Sequence, residues 1–146
     1  MKAAIIYSSI TGNTLALAEA IYAEMKQRVN HVQLIPIDEL DYQCLADYDL
    51  IAIGSYTWDN GDIPPEMDPL FCEMEEQDLK HVKTGVFGTG DSFYPYFCGA
   101  VDLFRDMLYV HTDLAVTLKV ELMPQQEDYR KVSAFCDRLT REHVLV

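Results

Sequence analysis

The sequence predicts an α/β fold of three layers: a five-stranded parallel sheet in the order 2-1-3-4-5 with helices on both faces. Three observations predict it. Strand-like and helix-like segments alternate along the whole chain, with no internal repeat, low-complexity tract or linker. Three strand-like segments are continuous apolar runs, as strands buried on both faces are. Two others alternate with polar residues, as edge strands do. Every crossover contains a helix or enough residues for a parallel, right-handed connection. At 146 residues the chain is close to the commonest size of one domain, and residues 1–146 read as one.

The first strand is predicted over 3–7, an unbroken apolar run. A turn at 8–12 leads into a helix over 13–29, whose Ala18, Ile21, Tyr22, Met25 and Val29 recur at helical spacing. The second strand, 32–37, sets Val32, Leu34 and Pro36 on one face and Gln33, Ile35 and Ile37 on the other. The third, 50–54, is again apolar throughout. A loop with Gly61, Pro64 and Pro65 follows. Asp68 then reads as an N-cap with Pro69 at the first helical position, opening a helix over 70–77. The fourth strand is predicted over 85–89. A helix over 97–109 places Phe97, Ala100, Val101, Phe104 and Leu108 on one stripe. The fifth strand, 114–122, alternates strictly. The last helix, 126–143, is expected to bury Tyr129, Val132, Cys136 and Leu139. Segments two and five therefore take the edges. The topological switch point then lies between strands one and three, with ligands expected outside the carboxyl ends of the strands there.

Composition narrows the function. The formal net charge of −13 argues against a nucleic-acid partner, whose phosphates would be repelled, and fits docking on basic protein surfaces; solubility alone also accounts for it. No apolar run approaches the ~20 residues of a membrane span. The amino terminus lacks signal-peptide architecture, so a cytoplasmic protein is expected. The four cysteines form no C-x-x-C and the four histidines do not cluster near them, so no metal site is expected.

Three loops at the carboxyl ends of the predicted strands, 8–14, 55–61 and 89–98, hold most of the functional groups. The first reads S-S-I-T-G-N-T. Gly12 and small hydroxyl residues let several N–H groups converge, and the following helix adds the positive end of its dipole. Without Lys or Arg it is neither a Walker loop nor a dinucleotide turn. Neutral donors suit a phosphate monoester that stays bound; phosphoryl transfer would call for a cation. In isolation the loop is equally an N-capped turn without ligand. The second loop carries Trp58, the only tryptophan, among polar neighbours, where it can stack on a planar ligand or pack on the first helix. The third carries glycines that allow close approach, Asp91 as an acceptor for a ring N–H, and the aromatic faces of Tyr94 and Tyr96. Together they describe a phosphorylated, planar heteroaromatic ligand.

The motifs S-x-T-G-N-T at 9–14, T-W at 57–58 and G-D-S-x-Y-x-Y-F-C-G-A-V-D at 90–102 resemble those of short-chain flavodoxins. The resemblance covers essentially the whole chain, and nothing interrupts the fifth strand as in long-chain members. It implies a flavodoxin-like fold, non-covalently bound flavin mononucleotide (FMN), and one-electron transfer rather than substrate turnover. By that resemblance Ser9, Thr11, Gly12, Asn13 and Thr14 would hold the phosphate, with Thr57 nearby. Trp58 would cover the inner face of the isoalloxazine and Tyr94 the outer. Asp91 and the backbone around Cys98 would meet the pyrimidine edge, and the Asp59 carbonyl would accept from flavin N5 once it is protonated. Ile10, Tyr56, Asn60, Gly61, Thr89, Gly90, Tyr96 and Phe97 complete the candidate cofactor contacts.

Two positions depart from the family pattern. Many members carry Gly after the Trp, where a peptide flip turns a carbonyl towards N5. Asp59 stands there, and its Cβ makes positive φ more costly. Tyr56 replaces a small hydroxyl residue, so the phosphate either loses a donor or the tyrosine turns away. The acidic surroundings are expected to give a strongly reducing couple, because the fully reduced ring is an anion. The expected partners are basic-surfaced: a flavodoxin or ferredoxin reductase and acceptor oxidoreductases, met as a monomer. The alternative is an FMN enzyme of the same fold, a quinone reductase or a ribonucleotide-reductase activator. A phosphoacceptor domain of this strand order would need acids after the first strand, and residues 8–14 contain none.

Overall fold

Parallel pairing of short apolar segments organises the chain. The computed structural model describes residues 1–141. Its five strands are β1 (Lys2–Tyr7), β2 (His31–Pro36), β3 (Leu50–Tyr56), β4 (Leu79–Gly90) and β5 (Thr112–Glu121), ordered β2-β1-β3-β4-β5, and every pair is parallel. Helices α1 (Asn13–Met25) and α4 (Tyr129–Thr140) pack on one face, and α2 (Asp68–Glu76) and α3 (Gly99–His111) on the other. The sheet therefore takes the order that the apolar and alternating segments predict.

The two-residue period of a strand divides the core. Ala3, Ile5, Leu50, Ala52 and Phe87 meet Leu17 and Ile21 of α1 and Val132 and Phe135 of α4. Ala4, Ile6, Ile51, Ile53 and Val86 meet Leu70 and Met74 of α2 and Val101 and Phe104 of α3. Each such fully buried Val, Leu, Ile, Phe or Met side chain contributes about 1.5–3 kcal/mol. On β2, Val32 and Leu34 join the first layer while Ile35, with Ile37 beyond it, joins the second.

Several boundaries differ from the sequence reading, each for a local reason. β4 begins at Leu79, well before residue 85, because Lys80, His81 and Lys83 break the apolar run while the backbone already pairs; its register with β5 shifts between Leu79 and Lys83. β3 runs on to Tyr56, beyond the expected residue 54. Asp68 is the first residue of α2 rather than its cap: a 3₁₀ turn at Pro65–Met67 leads in, and no side chain caps the helix. α1 stops at Met25, although Val29 stays buried. α3 starts at Gly99, since the left-handed Cys98 (φ 52°) excludes residue 97 from the helix. A 3₁₀ turn, Gln126–Asp128, precedes α4, on which Phe135 is buried in place of the exposed Tyr129. The expected end of that helix at His143 lies outside the described residues. Two further 3₁₀ turns, Ile37–Glu39 and Tyr42–Asp47, carry no sequence signature in the reading above.

Packing is close where β3, β4 and α3 meet near the carboxyl end of the sheet. A Cβ on Gly88 would lie 2.4 Å from Val101 Cγ2 and 2.5 Å from the Ser55 carbonyl oxygen. The second contact is backbone and cannot swing aside. Gly88→Ala is therefore expected to destabilise the fold by about 1–3 kcal/mol, read as a lowered urea midpoint at unchanged m-value.

Candidate functional site

The carboxyl ends of β1, β3 and β4 lie side by side, so their loops converge. In the first, Ser8 N–H donates to Gly54 O at 3.1 Å, and Gly12 N–H donates to Ser9 Oγ at 3.2 Å. Gly12 adopts φ 93° and occupies the N-cap of α1, with no side-chain cap and no acid in the first turn. The first N–H groups of α1 thus face the loop without intrahelical partners. A Cβ at Gly12 would meet nothing within 4 Å, so the space over this helix end is open. Thr14 is buried, its hydroxyl 2.7 Å from that of Thr89 at the end of β4.

The second loop is a closed hairpin. Trp58 and Asp62 exchange both backbone hydrogen bonds, each 2.8 Å, around Asp59, Asn60 and Gly61. Gly61 sits at φ 94°, and its Cα comes so near the third loop that a Cβ would lie 2.8 Å from Tyr96 Cβ; only glycine fits both demands. Asp59 adopts φ 49°, the left-handed backbone its Cβ disfavours; Asp is among the residues that tolerate it best. Thr57 Oγ1 accepts from Ala100 N–H at 3.2 Å and so caps α3 from another loop. The Tyr56 hydroxyl donates to the Glu66 carboxylate, so its proton is already engaged and is not offered to a phosphate.

The third loop is folded by Asp91, whose Oδ1 accepts from Phe93 N–H at 2.9 Å and whose carbonyl accepts from Tyr94 N–H at 3.1 Å. Gly90 lies against Cys98, where a Cβ would sit 3.0 Å from Sγ. Burial pushes the Cys98 thiol from its ordinary 9.0 to about 12, so it stays protonated. Burial likewise acts to raise the Glu66 carboxyl. Hydrogen bonds from Tyr56, its own backbone and Ser8 outweigh that and hold it below its ordinary range.

These loops enclose a cavity of about 370 Å³, within the range of small-molecule sites. Thr11 and Asn13 line it from the first loop and Tyr56, Thr57, Asp59 and Asn60 from the second. Thr89, Gly90, Asp91, Tyr94, Tyr96, Phe97 and Cys98 line it from β4 and the third. Ser9, Ile10 and Gly12 instead border an adjoining cavity of about 440 Å³ behind the phosphate loop. Thr14, Trp58 and Gly61 lie on neither lining; Trp58 is 45% exposed. No Lys or Arg lines either cavity among the described residues. A larger groove, about 500 Å³, follows the β5 edge between Arg105 and Lys131, away from every one of these loops.

Sequence reasoning missed Leu122. It lines the main cavity at φ 53° and donates its N–H to Gly90 O at 2.7 Å. Its identity gave no signal, because left-handed backbone ordinarily selects Gly or Asn. Asp59, Cys98 and Leu122 are the non-glycine residues at positive φ among the described residues, and all three border this cavity. Backbone strain of that kind gathers at functional sites.

Comparison with known proteins gives the family to which this 2-1-3-4-5 sheet belongs. The flavodoxin family model matches residues 5–133. The chain belongs to the flavodoxin family. It is 41% identical to probable flavodoxin 1 of Bacillus subtilis over 92% of this chain and 87% of that protein. The crystal structure of oxidised flavodoxin 1 from Bacillus cereus superposes with a TM-score of 0.88 at 35% identity, covering 95% of this chain and 97% of that one. Flavodoxin 2 of the same organism gives 0.89 at 36%, with the same coverage. Flavodoxins are FMN-binding electron-transfer proteins that work between redox partner proteins and do not turn over a substrate of their own. Among the described residues no helix is long and apolar enough to cross a membrane, and no group of three acidic, His or Cys side chains could hold a metal ion.

Thiol chemistry tests the burial of the site. At pH 8 a disulfide reagent should label the exposed Cys72 quickly and leave Cys98 and Cys136 unlabelled until the chain unfolds. Burial also takes Cys136 to about 12. Above pH 9 the unfolded chain releases these protons while the folded chain keeps them. Stability in urea should therefore fall as pH rises from 9 towards 12, and less steeply in Cys136→Ala.

Proposed function

We propose that residues 1–146 act as one domain that binds a single FMN in the three-loop crevice and carries single electrons between redox proteins. The observation that carries this is the open, cation-free amino terminus of α1, set beside a crevice lined by Tyr94 and Tyr96. The donor set fits the cofactor. Backbone N–H groups and hydroxyls alone satisfy a phosphate monoester held as a resident group. Bound there, FMN supplies reversible one-electron chemistry at its ring.

The chain's own residues bind and orient it. Backbone N–H groups at 10–14, with the hydroxyls of Ser9 and Thr11 and the Asn13 amide, hold the phosphate. Thr14 and Thr57 act chiefly as struts, since their hydroxyls engage Thr89 and the Ala100 N–H. Trp58 and Tyr94 cover the two faces of the ring. The backbone at Gly90, Asp91 and Cys98 meets its pyrimidine edge, and the Asp59 carbonyl holds the N5 proton. Asp59, Asp91 and the surrounding acids, with no Lys or Arg lining the cavity among the described residues, oppose added negative charge on the ring and keep its potential low.

Phe93, Tyr94 and Tyr96 stand exposed at the mouth, with the acids Asp59, Asp91 and Glu121 beside them. This rim suits a basic docking surface on a flavodoxin or ferredoxin reductase and on acceptor oxidoreductases, met by a cytoplasmic monomer.

Apo protein should take up one FMN per chain, read by quenching of flavin fluorescence, and oxidise NADPH only slowly without a reductase. Tyr94→Ala should weaken FMN by about two- to tenfold, the worth of an aromatic contact. Asp59→Gly relieves the left-handed backbone. It should raise the first reduction potential relative to the second in a redox titration; an unchanged or narrowed separation rejects that role for the 59–61 hairpin.

A further inference from the structure

Two hydroxyls at the base of the site point onto one carboxylate. Ser8 Oγ donates to Glu66 Oε1 at 3.0 Å, and the Tyr56 hydroxyl donates to the same oxygen. Ser8 opens the phosphate loop directly after β1. Tyr56 closes β3 and leads into Thr57 and Trp58. Glu66 belongs to neither loop; it sits in the 3₁₀ turn Pro65–Met67 beyond the hairpin. Its side chain is not part of the core, yet it borders the cavity behind the phosphate loop together with Ser9, Ile10 and Gly12. A carboxylate there is an electrostatically poor neighbour for a phosphate. What it gains in that place is the two hydroxyls, which as an acceptor-only group it orients towards itself. The bonds join the strand ends from which two of the three loops depart.

We propose that Glu66 is a positioning residue: by holding Ser8 and Tyr56 together it sets the spacing between the phosphate loop and the ring-binding hairpin, and so favours phosphorylated over unphosphorylated flavin. The proposal rests on the FMN reading above. A ligand that spans both loops feels the distance between them. Riboflavin, which lacks the phosphate, engages the ring loops alone and does not.

Apo protein titrated in parallel with FMN and with riboflavin tests this. Glu66→Ala should weaken FMN roughly tenfold, the loss expected for one charge-assisted hydrogen bond, and change riboflavin by less than about twofold. Glu66→Gln, which keeps an acceptor oxygen, should recover part of the loss. Ser8→Ala and Tyr56→Phe should each weaken FMN in the native background and add little on top of Glu66→Ala. The losses should persist at high salt. Equal weakening of both flavins would make Glu66 a general brace and overturn the proposal. Tighter FMN binding that fades with salt would make it only a repelling charge, and no change in either flavin would deny it a role; both overturn the proposal as well. Should Glu66→Ala fail to fold, the Ser8 and Tyr56 variants decide by the same FMN-to-riboflavin comparison. A native protein that binds neither flavin overturns the FMN reading itself.

Discussion

The parallel register of β1, β3 and β4 is the constraint on which the rest of the molecule depends. Ile6 lies opposite Ile53, and Ile53 opposite Val86, so the three strands run in step towards the same end of the sheet and release their loops into one crevice. Burial on both faces enforces this register. A slip of one residue would exchange the side chains that meet α1 and α4 for those that meet α2 and α3. The helices then follow as covers for two apolar faces, and the crevice follows as the place where neither cover reaches.

Polar groups near the crevice divide into those that build it and those left to meet a ligand. Thr14 with Thr89, Thr57 with the Ala100 N–H, and Ser8 and Tyr56 with Glu66 fasten loop to loop. Such bonds between segments far apart in the chain fix distances that no single loop could hold. What remains for a phosphate is mostly backbone N–H at the start of α1, preorganised by the helix itself. An uncharged cradle would suit the resident cofactor proposed there: it would hold an anion without a cation whose field would also stabilise extra electrons on a nearby ring.

Around that cradle the backbone is bent into unfavourable regions. Asp59, Cys98 and Leu122 each hold a left-handed conformation, and each is restrained by its neighbours. The Trp58–Asp62 hairpin holds Asp59, the start of α3 holds Cys98, and the bond to Gly90 O holds Leu122. The rigid sheet supplies the stability against which these local costs are set.

Period and burial made the architecture legible in the sequence. Apolar runs at β1, β3 and β4 and the alternation at β5 reported which strands are central, and the motifs around Gly12, Trp58 and Asp91 marked the loops and the family. These are local signals, each carried by a handful of neighbouring residues. The early start of β4 was hidden because its polar residues pair through backbone, which side-chain pattern does not record. Leu122, the turn of Tyr56 towards Glu66 and the capping of α3 by Thr57 were equally invisible. Each arises from a contact between segments brought together only by the sheet. The sequence by itself determined the strand order, the face each strand buries and the chemistry of the loops, because hydrophobic burial acts on every residue where it stands. Tertiary structure alone decided which hydroxyls face the crevice and which fasten it, because a hydrogen bond depends on distance and angle between atoms that the chain order leaves far apart.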